Sequence, residues 1–197
     1  MRKLRIVLWG AVAVALAAFA FLSFQPARTP EPLPQPMAIT SIGGPFTLVG
    51  SDGKPFSSTK LAGKPYAIFF GFTHCPDVCP TTLARMAKLR QELGGGDQAF
   101  EIVFVTVDPE RDGPSEVGKY AELFNSPIIG LTGSPAQIEQ VKKQFGIFSK
   151  KVPDGSGYSV DHTSTVLLFD RTGGFVATIA PEEQDSAALA KLKRITA

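Results

Sequence analysis

The sequence has few of the residues that bind metals or form disulfides, and it has almost no net charge. Its 197 residues include two cysteines and two histidines, and the formal charge is +2. Three of the 20 basic residues, Arg2, Lys3 and Arg5, lie at the extreme N-terminus, so 17 remain against 18 acidic residues. That balance excludes the basic footprint of a nucleic-acid-binding protein. Internal repeats are also lacking, and the length and 44% hydrophobic content indicate one globular domain with appendages.

Charged residues are missing from one long stretch near the N-terminus. Residues 6–24, IVLWGAVAVALAAFAFLSF, carry no charge and at about 1.5 Å per residue cover roughly the 30 Å core of a bilayer. The basic residues before this stretch favour a cytoplasmic N-terminus, so residues 1–24 are expected to anchor the chain. In a bacterium this predicts a single N-terminal span in the inner membrane and a domain that faces the periplasm. Ala18 and Ala20 also fit a signal-peptidase site, so a cleaved signal peptide is the alternative.

A proline-rich segment follows the apolar stretch. Residues 25–38, QPARTPEPLPQPMA, carry prolines that favour an extended polyproline conformation and cannot build a core. We interpret this segment as a linker that holds the domain, residues 39–197, away from the membrane.

From residue 39 onward, strand patterns alternate with helix patterns. Buried strands are predicted at KPYAIFFGF and FEIVFVTVD, and helices at PTTLARMAKLRQEL and, with Ser134 as N-cap, at SPAQIEQVKKQFG. The last two strands, STVLLFD and FVATIA, precede a closing helix. This order predicts an α/β sandwich with a central mixed sheet.

Both cysteines lie in GFTHCPDVCPTTL, residues 71–83, where a predicted strand ends and a helix begins. This location presents side chains at the carboxyl edge of the sheet, and the helix N-terminus lowers the pKa of a thiol. A purely stabilising disulfide is disfavoured, because closing a three-residue loop removes little entropy from the unfolded chain. On a helix, residues four apart share one face, so the two sulfurs are expected to converge on one ion or to form a redox disulfide.

Two thiolates do not complete a metal site, and the sequence offers only two histidines. His74 adjoins Cys75 and is expected to point to a different side. His162 precedes the predicted strand STVLLFD, which a sandwich of this kind places beside the strand that carries the cysteine loop. His162 is therefore the candidate third ligand, with an ordinary hydrogen-bonded histidine as the alternative. Two thiolates and an imidazole suit Cu(I) through sulfur and hold Cu(II) through nitrogen, whereas zinc catalysis would need a general base beside them.

Three segments in order, FFGFTHCPDVCPTTL, VTVDPERDGP and VDHTSTVLLFD, resemble the signatures of the Sco/SenC family over roughly residues 42–195. The resemblance implies a thioredoxin-like three-layer sandwich preceded by one N-terminal transmembrane helix. It also implies that Cys75, Cys79 and His162 are ligands of copper, as Cu(I) and Cu(II).

The resemblance implies a function as well. Family members are metallochaperones that assist assembly of the copper A centre of cytochrome c oxidase, or thiol-disulfide reductases for the cysteines of that centre. The implied partners are the oxidase subunit that carries copper A, and another periplasmic copper chaperone or thiol reductant. A metallochaperone is favoured over an enzyme.

Carboxylates adjoin the candidate ligands. Asp77 lies between the cysteines and Asp161 precedes His162, so either can orient a ligand or tune the site. A capping or solvated carboxylate is the alternative for each. The segment DPERD, residues 108–112, is expected to shape the site or a docking surface, with Arg111 in an ion pair.

Other classes of protein use the same fold. A peroxiredoxin-like thiol enzyme fits loosely around Cys79, but Pro76 stands where its catalytic threonine would be. A thioredoxin-type reductase would have two residues between its cysteines, whereas this chain has three. A protein that only senses or sequesters copper is a further alternative. It would keep its metal in the presence of a copper-free acceptor, whereas a chaperone would pass the metal on.

Overall fold

The computed structural model describes residues 42–197 and, before them, Trp9 alone. Apart from Trp9, the predicted anchor at residues 1–24 and the predicted linker at residues 25–38 lie outside the described residues. Within the described part of the chain, no helix is long and apolar enough to cross a membrane. Residues 42–197 lie within one compact unit.

The strands of the described residues form a seven-stranded sheet and a separate two-stranded one. They are β1 (Thr47–Gly50), β2 (Pro55–Ser57), β3 (Tyr66–Gly71), β4 (Glu101–Thr106), β5 (Ile128–Thr132), β6 (Ser149–Asp154), β7 (Gly157–His162), β8 (Val166–Phe169) and β9 (Phe175–Ile179). The order in the large sheet is β2-β1-β5-β4-β3-β8-β9. Strands β3, β4 and β5 run in parallel, and β8 is antiparallel to β3, so the predicted central mixed sheet is confirmed.

Within residues 42–197, four α-helices complete the α/β fold. They are α1 (Val78–Glu92), α2 (Pro114–Glu122), α3 (Pro135–Phe145) and α4 (Asp185–Thr196). As predicted, Ser134 caps α3, where its hydroxyl accepts from the amide of Gln137 in a capping box. Gly146 ends α3 in the left-handed conformation, which glycine adopts without a steric penalty.

The centre of the large sheet is the most deeply buried part of the domain. All six residues of β3 are buried, and so are five of the six in β4. Such apolar runs belong to strands covered on both faces. Gly71 at the end of β3 pairs with Thr106 at the end of β4, so the loops that leave these two strands begin side by side.

Strands β6 and β7 form a hairpin that the sequence analysis did not anticipate. The sequence predicts no element between the helix SPAQIEQVKKQFG and the strand STVLLFD, and it places His162 in a loop that enters that strand. Instead, β6 and β7 pair with each other over their whole length, from Ser149 opposite His162 to Asp154 opposite Gly157. His162 is therefore the last residue of a strand that lies outside the large sheet.

Candidate metal centre

Three side chains meet beyond the carboxyl end of β3. The ligand atoms of Cys75, Cys79 and His162 all lie within 4.8 Å of one another. His162 Nε2 is 3.4 Å from Cys79 Sγ, and both cysteines are free thiols. The group thus consists of two sulfur donors and one imidazole, as the sequence analysis predicted.

The cysteines converge through a turn and not through a shared helical face. Helix α1 begins at Val78, so Cys79 lies in its first turn while Cys75 precedes it. The amide of Cys75 donates to the carbonyl of Phe72, which closes the turn after β3, at 3.2 Å. The amide of Cys79 points back at Cys75 Sγ, 3.4 Å away. A helix N-terminus therefore provides one of its unpaired N–H groups to a sulfur.

Gly71 makes room for the buried sulfur. Cys79 is fully buried, whereas Cys75 is partly exposed. A Cβ atom at Gly71 would lie 2.8 Å from Cys79 Sγ and 2.9 Å from the ring of Phe69. Only glycine allows β3 to pass this close to the sulfur.

The two thiols differ in acidity because they share one proton. The hydrogen bond from Cys79 holds the pKa of Cys75 well below its ordinary value, and the backbone amides of Cys79 and Asp77 act in the same direction. The same hydrogen bond, together with burial, raises the pKa of Cys79. The pair therefore rests as a partly exposed thiolate beside a buried thiol.

A buried carboxylate fixes the cysteine loop to the neighbouring strand. Asp112 accepts from the amide of Thr73 at 2.9 Å and from its hydroxyl at 2.6 Å. Its other buried partner is the hydroxyl of Thr106, also at 2.6 Å. Asp112 belongs to the segment expected to shape the site, whereas no sequence pattern points to the two threonines, since their role depends on the pairing of β3 with β4.

The two histidines have different surroundings. His74 is exposed, with Nδ1 3.1 Å from the Thr73 hydroxyl and 3.5 Å from Asp112, so its ring is directed away from the cysteines, as expected. The ring of His162 lies edge-on to those of Phe69 and Phe72, at 6.0 and 5.7 Å between centroids. Its Nδ1 is 2.9 Å from the carbonyl of Thr163. Because a carbonyl only accepts, Nδ1 carries the proton and Nε2 presents its lone pair to the sulfurs.

Neither predicted tuning carboxylate forms a hydrogen bond with the three ligand candidates in the described structure. The carboxylate of Asp77 accepts from the hydroxyl of Thr81 at 3.3 Å. Asp161 is exposed on β7, opposite Lys150. A role for either in tuning the site stays a prediction.

An open cleft lies over the group, and Cys75, His162 and Asp161 line it. Val78 and Ser164 line this cleft and also a second one along α1. The partly exposed sulfur and the imidazole are therefore accessible from solvent, whereas Cys79 is reached only past them. Soft thiolates combined with imidazole suit copper or zinc better than the hard cations that prefer oxygen.

Comparison with known proteins identifies the family. The sequence model of SCO1/SenC matches residues 35–197. The chain belongs to the SCO1/SenC family. A curated SCO2-like protein of Rickettsia conorii is 39% identical over 157 residues, which cover 76% of this chain and 77% of that protein. The resemblance described above is thereby confirmed.

Solved structures of SCO1/SenC relatives match the domain. ScoI of Bradyrhizobium japonicum, determined with copper bound, is 41% identical, with a TM-score of 0.71 over 79% of this chain and 99% of that one. BsSco is 26% identical, with a TM-score of 0.62 over 79% of this chain and 93% of that one. BsSco is described as having a disulfide switch and as a member of the Sco family of cytochrome c oxidase assembly proteins.

Proposed function

We propose that this chain binds one copper ion through Cys75 Sγ, Cys79 Sγ and His162 Nε2. The observation that carries the proposal is the convergence of these three atoms within 4.8 Å at the mouth of a solvent-accessible cleft. Copper is favoured over zinc because a relative that is 41% identical over nearly its whole length was solved with copper bound. The two sulfurs hold Cu(I), and the imidazole extends binding to Cu(II).

The copper is delivered to the copper A centre of cytochrome c oxidase, so the partner is the oxidase subunit that carries this centre. Support comes from family membership and from BsSco, which is described as one of the oxidase assembly proteins. A partly exposed sulfur in an open cleft suits transfer, because an incoming ligand can bind the metal before the buried sulfur leaves it. Another periplasmic copper chaperone or a thiol reductant would load or reduce the protein.

An anaerobic Cu(I) titration of the full-length chain against a competing chelator tests the site. We expect one tight equivalent in the parent and weaker binding in Cys75→Ser, Cys79→Ser and His162→Ala. His74→Ala is the matched control, since His74 adjoins Cys75 but contacts Asp112 and Thr73 instead. Unchanged binding in His162→Ala would remove the third ligand, and weakened binding in His74→Ala would mean that the wrong histidine has been assigned.

A second function, reduction of the disulfide formed by the cysteines of the copper A site, is favoured by the shared proton of the cysteine pair. Cys75 is a partly exposed thiolate, and Cys79 is placed to displace the mixed disulfide that Cys75 would form. Metal-free reduced protein, mixed with an oxidised copper A domain, would then yield two acceptor thiols and an internal Cys75–Cys79 disulfide. A chaperone without this activity would transfer copper only to an acceptor that is already reduced.

The proposed location is the bacterial inner membrane, with residues 1–24 as an uncleaved anchor, residues 25–38 as a spacer and a thioredoxin-like domain in the periplasm. It rests on the uncharged stretch at residues 6–24 and the proline-rich segment after it. The mass of the protein recovered from membranes tests it. A chain that begins after Ala20 would mean that the segment is a cleaved signal peptide.

A further inference from the structure

The hairpin of β6 and β7 carries one of the three ligand candidates but does not pair with the large sheet. The sulfurs belong to the loop after β3 and to the first turn of α1, whereas His162 is the last residue of β7. Backbone hydrogen bonds of the large sheet therefore do not fix the distance between imidazole and sulfurs. The three-residue link from His162 to β8 and side-chain contacts of the hairpin supply this constraint.

Arg111 makes two of these contacts. Its guanidinium carbon lies 3.8 Å from the centroid of the Tyr158 ring on β7, and its Nη1 donates to the carbonyl of Tyr158 at 3.0 Å. The same guanidinium carbon is 5.8 Å from the centroid of the Phe72 ring, which is 5.7 Å from the centroid of the His162 ring. Arg111 thus joins the hairpin to the aromatic ring on which His162 packs.

Asp108 connects this contact to the large sheet. Its fully buried carboxylate accepts from the hydroxyl of Tyr158 at 3.0 Å and pairs with Nε of Arg111. The amide of Asp108 donates to the hydroxyl of Thr106, the last residue of β4, at 2.9 Å. The side chains of Tyr158 and Asp108 therefore connect the hairpin to the end of β4, a central strand of the large sheet.

The other strand of the hairpin is held in the same place. Lys151 of β6 pairs with Glu110 at 2.6 Å, and its ammonium lies 4.6 Å from the centroid of the Tyr158 ring. Tyr158 is thus covered by two cations, whose attraction to an aromatic face is directional. Arg111 Nη2 is buried without a hydrogen-bond partner among the described residues. In the stacked position, one N–H donor group of the guanidinium is therefore unsatisfied, which is unfavourable.

We propose that Asp108, Arg111 and Tyr158, here called the hairpin clamp, position His162 for copper and thereby set the affinity for Cu(II) relative to Cu(I). The clamp residues do not touch the metal site; they act through the hairpin and Phe72. The inference rests on the proposed copper site. Two thiolates alone satisfy Cu(I), whereas Cu(II) depends on the imidazole, so a displaced His162 weakens Cu(II) binding more.

The test compares Arg111→Lys and Tyr158→Phe with the parent in the full-length chain. Lysine keeps the charge of Arg111 but loses the planar stack, and phenylalanine keeps the ring of Tyr158 but loses the hydrogen bond to Asp108.

Arg85→Lys is the matched control. Arg85 is also a partly buried arginine, with an ion pair to Asp185 and bonds to the carbonyls of Ala180 and Pro181, and it contacts none of the clamp residues.

We expect Arg111→Lys to weaken Cu(II) binding by roughly tenfold or more, as is typical when a partner that orients a ligand is lost. Cu(I) affinity should change by less than about threefold, and the nitrogen coupling in the electron paramagnetic resonance spectrum of the Cu(II) form should change. Tyr158→Phe should shift both properties in the same direction. In the His162→Ala background, Arg111→Lys should cause no further loss of Cu(II) affinity, because the clamp acts through that imidazole.

Two results would overturn the clamp alone: Cu(II) affinity in Arg111→Lys equal to that of Arg85→Lys, or an equal loss with and without His162. If the parent itself does not bind copper tightly, the proposed function and the clamp are both overturned. A hydrogen-exchange measurement on the metal-free chain separates misfolding from displacement. Amides of residues 157–162 should lose protection in Arg111→Lys, while those of the large sheet keep it.

Discussion

At the scale of single residues, Cys75 and Cys79 have different chemical roles although they are close in sequence and space. Cys75 is stabilised as a thiolate by a hydrogen bond from its partner, and Cys79 keeps its proton because it donates that bond and is buried. Nucleophilic reactivity follows the thiolate and its access to solvent. Cys75 should therefore react first with electrophiles and with incoming metal.

Alkylation of the reduced, metal-free chain by iodoacetamide between pH 5 and 8 tests this difference. An ordinary thiol loses reactivity about tenfold per pH unit below its pKa of about 8.5, because its thiolate is protonated. Since the pKa of Cys75 is lowered, its thiolate persists and its rate should fall far less over this range. Cys79 should stay unmodified, as peptide mapping by mass spectrometry will show.

Cys79→Ala is the control for that experiment, since it removes the largest cause of the lowered pKa. Cys75 should then titrate nearer the ordinary value and lose reactivity more steeply as the pH falls. A tenfold loss per unit at Cys75 of the parent, equal to that of the urea-unfolded chain, would contradict the assignment.

Gly71 offers a second test at this scale. Alanine here would place its Cβ 2.8 Å from Cys79 Sγ, so the sulfur must shift, and copper affinity should fall by roughly tenfold. Gly130→Ala is the matched control, because its Cβ would lie 2.6 Å from the carbonyl of Val117, against helix α2. Both variants should lose about 1–3 kcal/mol of unfolding free energy from overpacking. Chelator competition should show weakened copper binding in Gly71→Ala only.

At the scale of elements, the loop that carries Cys75 depends on one buried carboxylate. Asp112→Ala would leave the amide and hydroxyl of Thr73 and the hydroxyl of Thr106 without their acceptor. Loss of such a buried charged acceptor costs about 3 kcal/mol of unfolding free energy, and copper affinity should fall as the loop loosens. Denaturant unfolding and chelator competition measure the two effects.

Asp170→Ala is the control for Asp112→Ala, since Asp170 also accepts from a threonine amide and hydroxyl, but in the exposed turn between β8 and β9. It should leave copper affinity unchanged and reduce stability less. Equal effects of the two substitutions would show that Asp112 has no special relation to the site.

The elements of the large sheet could be predicted because their patterns are strong. The buried runs of β3 and β4 and the capped start of α3 have signals that lie within the elements themselves. The hairpin has a weaker signal. Apart from Pro153, strands β6 and β7 contain three apolar residues, which are Val152, Tyr158 and Val160. Most residues of the hairpin are exposed.

The candidate ligands were likewise predictable, whereas their surroundings were not. Cys75, Cys79 and His162 could be named because the chain has few cysteines and histidines and because its motifs resemble those of a family. The contacts of Asp112 with Thr73 and of Arg111 with Tyr158 join residues that are 39 and 47 positions apart in the chain. Neither periodicity nor local propensity carries that information.

At the scale of the whole molecule, the redox state of the cysteine pair should control whether the domain binds copper. A disulfide between Cys75 and Cys79 would remove both thiolates, the ligands on which Cu(I) depends. Treatment of the metal-free chain with diamide should abolish tight Cu(I) uptake, and dithiothreitol should restore it. Uptake that persists in the oxidised protein, measured by chelator competition, would exclude this control.

The chain separation of the ligands has a consequence for the biogenesis of the protein. Cys79 and His162 are 83 positions apart, and they meet only after β3 has paired with β4 and β8 and the hairpin has docked. Contacts between such distant residues form late in folding, because long loops must close first. An unfolded or newly synthesised chain therefore presents two thiols without the imidazole. The complete three-ligand site exists only in the folded domain, so folding of the protein must precede its loading with copper.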